Sequence, residues 1–324
     1  MKPDEMGQPT IIVPYPGPSS VAGFQDIFVY LRPETNGVIA ESTILRVVKS
    51  ANVHGDAMKL IFLANIPGEF IVENHIVEQF YSVRLHFAVH GGNAFTPSMR
   101  ERFSRHFSIP FSEAKIYGAF RALQEFDMQP EELFKVWVAE TDLMHLNGQI
   151  VKKIKDIYVV NYDIPALIHK NSRQTDIAVM IFRTSYGYPE VKALVANMHK
   201  ALCDINILSA QFDASRAFHF SKGPLEQVMD GIAYLYPATG KKLHLANFTF
   251  ATWLQEQGFD ISILKSLLLN PIVTWKDEQG NGHEDNVFNL TLYDDYATAL
   301  CKLRAIVHQH DCIHHGTFLE AIPI

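Results

Sequence analysis

Three times between Ile27 and Phe107 a run short enough for a strand is followed by a stretch with helical spacing, and no other feature limits the fold as much. Ile27 to Leu31 is apolar, aromatic and β-branched, closes at Arg32-Pro33, and reads as a buried strand. Glu41 to Ala51 carries Ile44, Leu45, Val47 and Val48 on one helical face. Lys59 to Ala64 reads as a second strand, and Glu69 to Tyr81 sets Val72, Ile76 and Phe80 on one side of an amphipathic helix. Val83 to Val89 alternates like a third strand and stops at Gly91-Gly92. Thr96 then fits a helix cap with Pro97 at the first helical position, opening a helix through Phe107. Repeated strand–helix units predict an α/β N-terminal domain over residues 24–165 with a mainly parallel sheet.

Beyond it the pattern is more mixed. Residues 112–137 read as helices, and Asp142 to Asp163 as a hairpin turning at Asn147-Gly148. A polar connector, Asn171-Ser172-Arg173-Gln174, marks a boundary near 165–175 and precedes the strongest strand, Thr175 to Thr184. A Pro189-started helix follows, then helices over Pro224–Tyr236 and Phe248–Gly258, a hairpin of Ile272–Lys276 with Val287–Leu292, and a closing helix over Asp294–Val307. These elements predict an α+β C-terminal domain over residues 166–324. In front of both lies an arm, residues 1–23, with prolines at 3, 9, 14, 16 and 18. Such spacing forbids helix, so Ile11, Ile12, Val13 and Tyr15 should run extended along a neighbouring surface, and a homo-oligomer built through the arm is one expectation.

Charge narrows the partners. With 28 Lys+Arg against 35 Asp+Glu the net charge is −7, which gives no global attraction to a phosphate backbone and argues against nucleic acid. No apolar run is long enough to span a membrane, and Met1-Lys2-Pro3-Asp4-Glu5 leads into prolines rather than a secretory h-region. The 3 cysteines make no disulfide framework. A cytoplasmic location is expected.

Two segments carry candidate chemistry. In His90-Gly91-Gly92-Asn93-Ala94-Phe95-Thr96-Pro97 a strand would pass through glycines into a helix N-terminus, where free N–H groups and the helix dipole attract anions. Arg100 lies close enough to that start to help hold a phosphate, and Arg32, at the carboxyl end of the first strand, would line the same crevice with Asn65 and Arg183. The expected ligand-binding set is therefore Arg32, His90, Gly91, Gly92, Asn93, Thr96 and Arg100. The second segment is His308-Gln309-His310-Asp311-Cys312-Ile313-His314-His315. His308, His310, Cys312 and His314 share a face if the tract is extended and form i, i+4 pairs if it is helical, so a divalent metal is one reading. A helix C-terminus whose histidines complement the dipole is the other.

Residues 244–258, His-Leu-Ala-Asn-Phe-Thr-Phe-Ala-Thr-Trp-Leu-Gln-Glu-Gln-Gly, resemble the signature helix of tyrosine recombinases. His244 matches the motif's first histidine and Thr249 to Thr252 its Thr-Phe-Ala-Thr, while Asn247 and Phe248 stand where the catalytic arginine and second histidine belong. The resemblance therefore implies an inactive relative, since strand transfer needs arginines to neutralise the phosphate and a tyrosine to attack it. Two functions are expected from the sequence. One is a site for a small phosphate-bearing ligand at the N-terminal strand-to-helix turns, its reaction unassigned. The other is a non-catalytic interaction or oligomeric structural protein.

Overall fold

The computed structural model describes residues 7–21, 23–32, 35–52, 57–209, 217–236 and 243–310. Along the chain, strand β1 (Thr10–Val13) is followed by β2 (Gln25–Leu31), helix α1 (Val38–Ala51) and β3 (Met58–Ile66). A long insert comes next: α2 (Gly68–Glu73), α3 (Ile76–Phe80), α4 (Ser82–His90), α5 (Pro97–Phe107), β4 (Lys115–Gly118), α6 (Ala119–Phe126), α7 (Pro130–Lys135), β5 (Leu143–Leu146), β6 (Gln149–Ile154), β7 (Ile157–Val160) and α8 (Ile164–Lys170). Then come β8 (Ile177–Thr184), α9 (Tyr188–Asp204), β9 (Phe218–Phe220) and α10 (Pro224–Tyr234). The last elements are α11 (Thr249–Glu256), α12 (Ile261–Leu269), β10 (Ile272–Lys276), β11 (Gly282–Asn286), α13 (Val287–Leu290), α14 (Tyr296–Arg304) and β12 (Ile306–Gln309). Helices and sheets are thus mixed throughout.

The main sheet has the order β1-β3-β8-β2-β9, and every neighbouring pair is antiparallel. This overturns the mainly parallel sheet. The strands β2 and β3 do run the same way, as a strand–helix–strand unit requires, but β8 lies between them and pairs with both. Without β1 the arrangement is two interleaved βαβ units, β2-α1-β3 and β8-α9-β9, a split βαβ sheet. Sequence alternation reports the direction of successive strands and is blind to which later strand is slotted between them. The strand that follows the polar connector is the central one of the sheet that β2 and β3 begin.

Burial explains why β8 reads so strongly. Ala178, Met180 and Phe182 face the layer of α1 and α9, while Ile177, Val179 and Ile181 face α10, α11 and α12. Both faces are covered, and each large side chain buried here contributes roughly 1.5–3 kcal/mol. A second sheet, β4-β7-β6-β5, holds the one parallel pair among the described residues, β4 with β7; a third has the order β11-β10-β12.

Several local expectations change. Val83 to Val89 is the helix α4, not a strand. Its apolar positions also satisfy i, i+4 spacing, Val83 with Phe87 and Leu85 with Val89. The expected helix over Glu69 to Tyr81 is two short ones, broken where His75 takes a left-handed conformation. The turn at Asn147-Gly148 forms as read, with both residues at positive φ, but the returning strand breaks at Lys155 into β6 and β7. In the last hairpin the return strand is Gly282–Asn286, and Val287–Leu290 is helical. From Thr10 to Val13 the proline-rich arm runs extended, and it lies on its own chain, where β1 pairs with β3. Among the described residues no helix is long and apolar enough to cross a membrane.

Candidate functional site

The short edge strand β9 sits in direct register with β2, pairing Phe218 with Leu31, His219 with Tyr30 and Phe220 with Val29. Phe218 and Phe220 pack toward the α1 and α9 layer, so alternation sends His219 to the other face. There its ring stacks on that of its cross-strand partner Tyr30, with centroids 4.4 Å apart and planes 18° from parallel, and Tyr30 in turn lies 4.6 Å from Tyr234.

Beyond the strand, Ser221 keeps the pairing by its backbone N–H to the Phe28 carbonyl, and its Oγ accepts the Phe28 N–H at 3.1 Å. That hydroxyl donates its own proton to Asp230 Oδ2 at 2.6 Å, and the same oxygen stands 3.1 Å from His219 Nε2. Asp230 is fully buried in the middle of α10. Its other oxygen, Oδ1, has no partner among the described residues, so His219 and Ser221 alone hold the carboxylate. Among the described residues the second ring nitrogen of His219, Nδ1, has no hydrogen-bond partner. In its neutral form an imidazole whose Nε2–H faces a carboxylate presents the Nδ1 lone pair, which is the arrangement of a nucleophile or base.

Basic and acidic groups gather around it. Arg32 leaves β2 in a turn pinned by its N–H to the Ala217 carbonyl and by Thr35 N–H to its own carbonyl. The Tyr81 phenol lines the larger cavity beside it. Lys222 follows Ser221, its N–H bound by Glu226 Oε2 at 2.6 Å. Burial raises the Glu226 carboxyl above its ordinary value, with His219 opposing and Asp230 adding to that shift.

Two cavities meet at this point. The smaller, about 490 Å³, is lined by His219, Lys192, His199, Phe218, Phe220 and Tyr293 together with Arg32 and Lys222. The larger, about 600 Å³, also contains Arg32 and Lys222 and extends past Tyr30, Tyr81, Tyr234, Phe134, Tyr162 and Lys170. Arg32 and Lys222 are the shared wall.

Of the residues expected to bind an anion, Arg32 alone lines these cavities. His90 ends α4, and Gly91 and Gly92 are buried in a 3₁₀ turn against β4. A Cβ on Gly91 would stand 2.5 Å from the Gly118 nitrogen, and one on Gly92 would stand 3.0 Å from the Ile116 side chain, so these glycines serve close packing. Asn93 lies in the same turn. Thr96 does cap α5, accepting the Met99 N–H, and donates to Glu284. Arg100 is turned back onto the Phe95 carbonyl and the face of Phe111. Asn65 bonds Asp176, and Arg183 lies at the opposite end of the sheet from Arg32, because β8 runs antiparallel to β2.

The histidine tract is partly visible. His308 lies in β12 opposite Thr274, which places it on a strand and not at a helix C-terminus. His310 approaches Glu284 to 2.9 Å, while Cys312 and His314 lie outside the described residues. Among the described residues no three His, Cys, Asp or Glu side chains are grouped to hold a metal. In the recombinase-like stretch, Thr249 donates to Asp26, Thr252 to the Ala246 and Phe248 carbonyls, and Phe248, Phe250 and Ala251 are core.

No motif in the sequence marks His219, Ser221, Lys222 and Asp230 as a site. The signal was small: a His and a Ser two apart among aromatics, Phe218-His219-Phe220-Ser221, running into Gly223-Pro224 at a helix start. Comparison with protein-family models, curated proteins and solved structures returns no match to this chain.

Proposed function

We propose that the two-cavity crevice binds a small phosphate-bearing compound and that His219 is its reacting group, accepting and passing on a phosphoryl group. The observation that carries this reading is the His219–Asp230–Ser221 arrangement, in which a buried carboxylate fixes one ring nitrogen and leaves the other unpaired beside Arg32 and Lys222. In the step, the Nδ1 lone pair attacks phosphorus, the N–P bond forms, and the P–O bond to the leaving group breaks. The leaving oxygen carries off the electron pair, and the positive charge left on the ring is balanced by Asp230. The cations at the junction neutralise the phosphoryl oxygens as charge develops on them. An acceptor oxygen then reverses the sequence.

The aromatic lining of the larger cavity, Tyr81, Phe134 and Tyr162, suits a flat organic portion, so a nucleotide or a similarly built phosphate ester fits the whole crevice. This keeps the phosphate-ligand expectation and moves its seat from the Gly91 turn to Arg32 and His219.

The test uses phosphoramidate, a small donor that phosphorylates exposed imidazoles, and inorganic pyrophosphate as a binding probe. Expected are an acid-labile, base-stable label mapped to His219, its loss in His219→Gln, and pyrophosphate affinity that falls in Arg32→Ala and is unchanged in Arg100→Ala. A wild-type protein that takes no label at His219 and shows no pyrophosphate binding by calorimetry refutes the reading.

A further inference from the structure

We infer that the hydroxyl of Tyr30 donates a hydrogen bond to a phosphate oxygen of the ligand, so that this one side chain joins the larger cavity to His219. The inference rests on the phosphate reading above and adds to it a residue that reading does not use. Tyr30 is almost fully buried and lines the larger cavity, yet its hydroxyl has no hydrogen-bond partner among the described residues. Buried phenols are otherwise paired in folded proteins, and an unpaired one in a cavity wall points to a partner that arrives with the ligand.

Packing does not require the oxygen. The ring meets His219 on one side and Tyr234 nearby, contacts that a phenylalanine would make equally well. Arg32 and Tyr30 line the same cavity, so an oxyanion drawn to the guanidinium comes within the hydroxyl's neighbourhood. Burial, aided by Tyr81 and Tyr234, raises the Tyr30 ionisation well above its ordinary range, which keeps the group a donor.

The experiment compares wild type with Tyr30→Phe in three measurements: thermal midpoint, pyrophosphate binding by calorimetry, and the rate of phosphoramidate labelling at His219. The variant should melt at or above the wild-type midpoint, because folding loses no bond. Pyrophosphate affinity should fall at least tenfold, the effect of removing a donor to an anion. The label should still map to His219, since the ring stack and the Asp230 contact remain, but it should form more slowly, because the donor's phosphoryl oxygens lose the same hydroxyl. Equal pyrophosphate affinity in the two proteins overturns the inference while leaving His219 chemistry standing. Absence of both binding and label in the wild type overturns the phosphate reading and this one with it.

Discussion

Asp26 and Arg183 are direct cross-strand partners in the β2–β8 pair, and the guanidinium grips both carboxylate oxygens, Nε to Oδ1 at 2.7 Å and Nη2 to Oδ2 at 2.8 Å. Asp26 Oδ2 also accepts the Tyr15 phenol at 2.8 Å and the Thr249 hydroxyl at 2.6 Å. One buried carboxylate thus ties the N-terminal arm, the central strands and α11 together. Removing the cation strands that charge: Arg183→Ala should destabilise by about 3–5 kcal/mol, the range for breaking a buried pair from one side. Urea denaturation checks it. The double variant Arg183→Ala, Asp26→Asn should recover part of the loss, and a single-variant loss below about 1 kcal/mol would place the pair with ordinary surface ion pairs.

Gly91→Ala separates packing from ligand binding at the turn after α4. The residue sits at φ 56° and ψ −136°, and the added methyl would stand 2.5 Å from the Gly118 nitrogen. Strain and overlap together should lower stability by about 2 kcal/mol or more, read from the urea midpoint. Pyrophosphate affinity of the folded fraction should not change. A variant as stable as wild type that loses pyrophosphate binding would return the anion site to this turn.

Legibility in the sequence follows how local each cause is. The helix opened by Thr96 and Pro97 is set within one turn by a side-chain cap and a proline, and α5 begins there. The Asn147-Gly148 turn needs only two residues that tolerate positive φ. By contrast, Val83 to Val89 satisfies two periodicities, and what decides between them is the close approach of α4 to β4, which lies beyond any window. The site was illegible for a similar reason. Arg32 stood out because it ends a strand, but Tyr30 meets His219 only through the pairing of β2 with β9. Asp230 reaches His219 from the middle of a helix whose spacing marks it merely as an inward position. No residue of that cluster has a neighbour in sequence that announces its chemistry.

Lys152 gives a pH dependence with a defined sign. On β6 it is buried, its Nζ donates to the Val136 carbonyl at 2.8 Å and lies 3.4 Å from the centroid of the Tyr162 ring. Burial pulls its pKa down to about 8, with Asp163 opposing. An unfolded lysine keeps its proton to about 10.4. Between these values the unfolded state binds more protons, so this group's contribution to stability rises with pH. Wild type should therefore gain stability relative to Lys152→Met between pH about 8 and 10, measured as the difference in urea midpoints. A difference that stays flat or shrinks across that window contradicts the lowering of this lysine by burial.

Asp230 is where orientation and charge can be pulled apart. An asparagine at this position keeps an oxygen for the His219 Nε2–H and the Ser221 hydroxyl, so the ring should stay in place while the negative charge disappears. If Asp230 serves the reaction by balancing charge on a phosphorylated ring, Asp230→Asn should slow phosphoramidate labelling of His219 by roughly 10²-fold or more. Ser221→Ala removes a charge-assisted hydrogen bond to the same carboxylate, and the one its Oγ accepts from the Phe28 N–H, but leaves the charge, so its effect should be smaller, near tenfold, the equivalent of about 1.5 kcal/mol. The order of the two variants is the informative result. Equal rates in wild type and Asp230→Asn would make the carboxylate a packing partner of the imidazole, and His219 would then have to be activated by Arg32 and Lys222 alone.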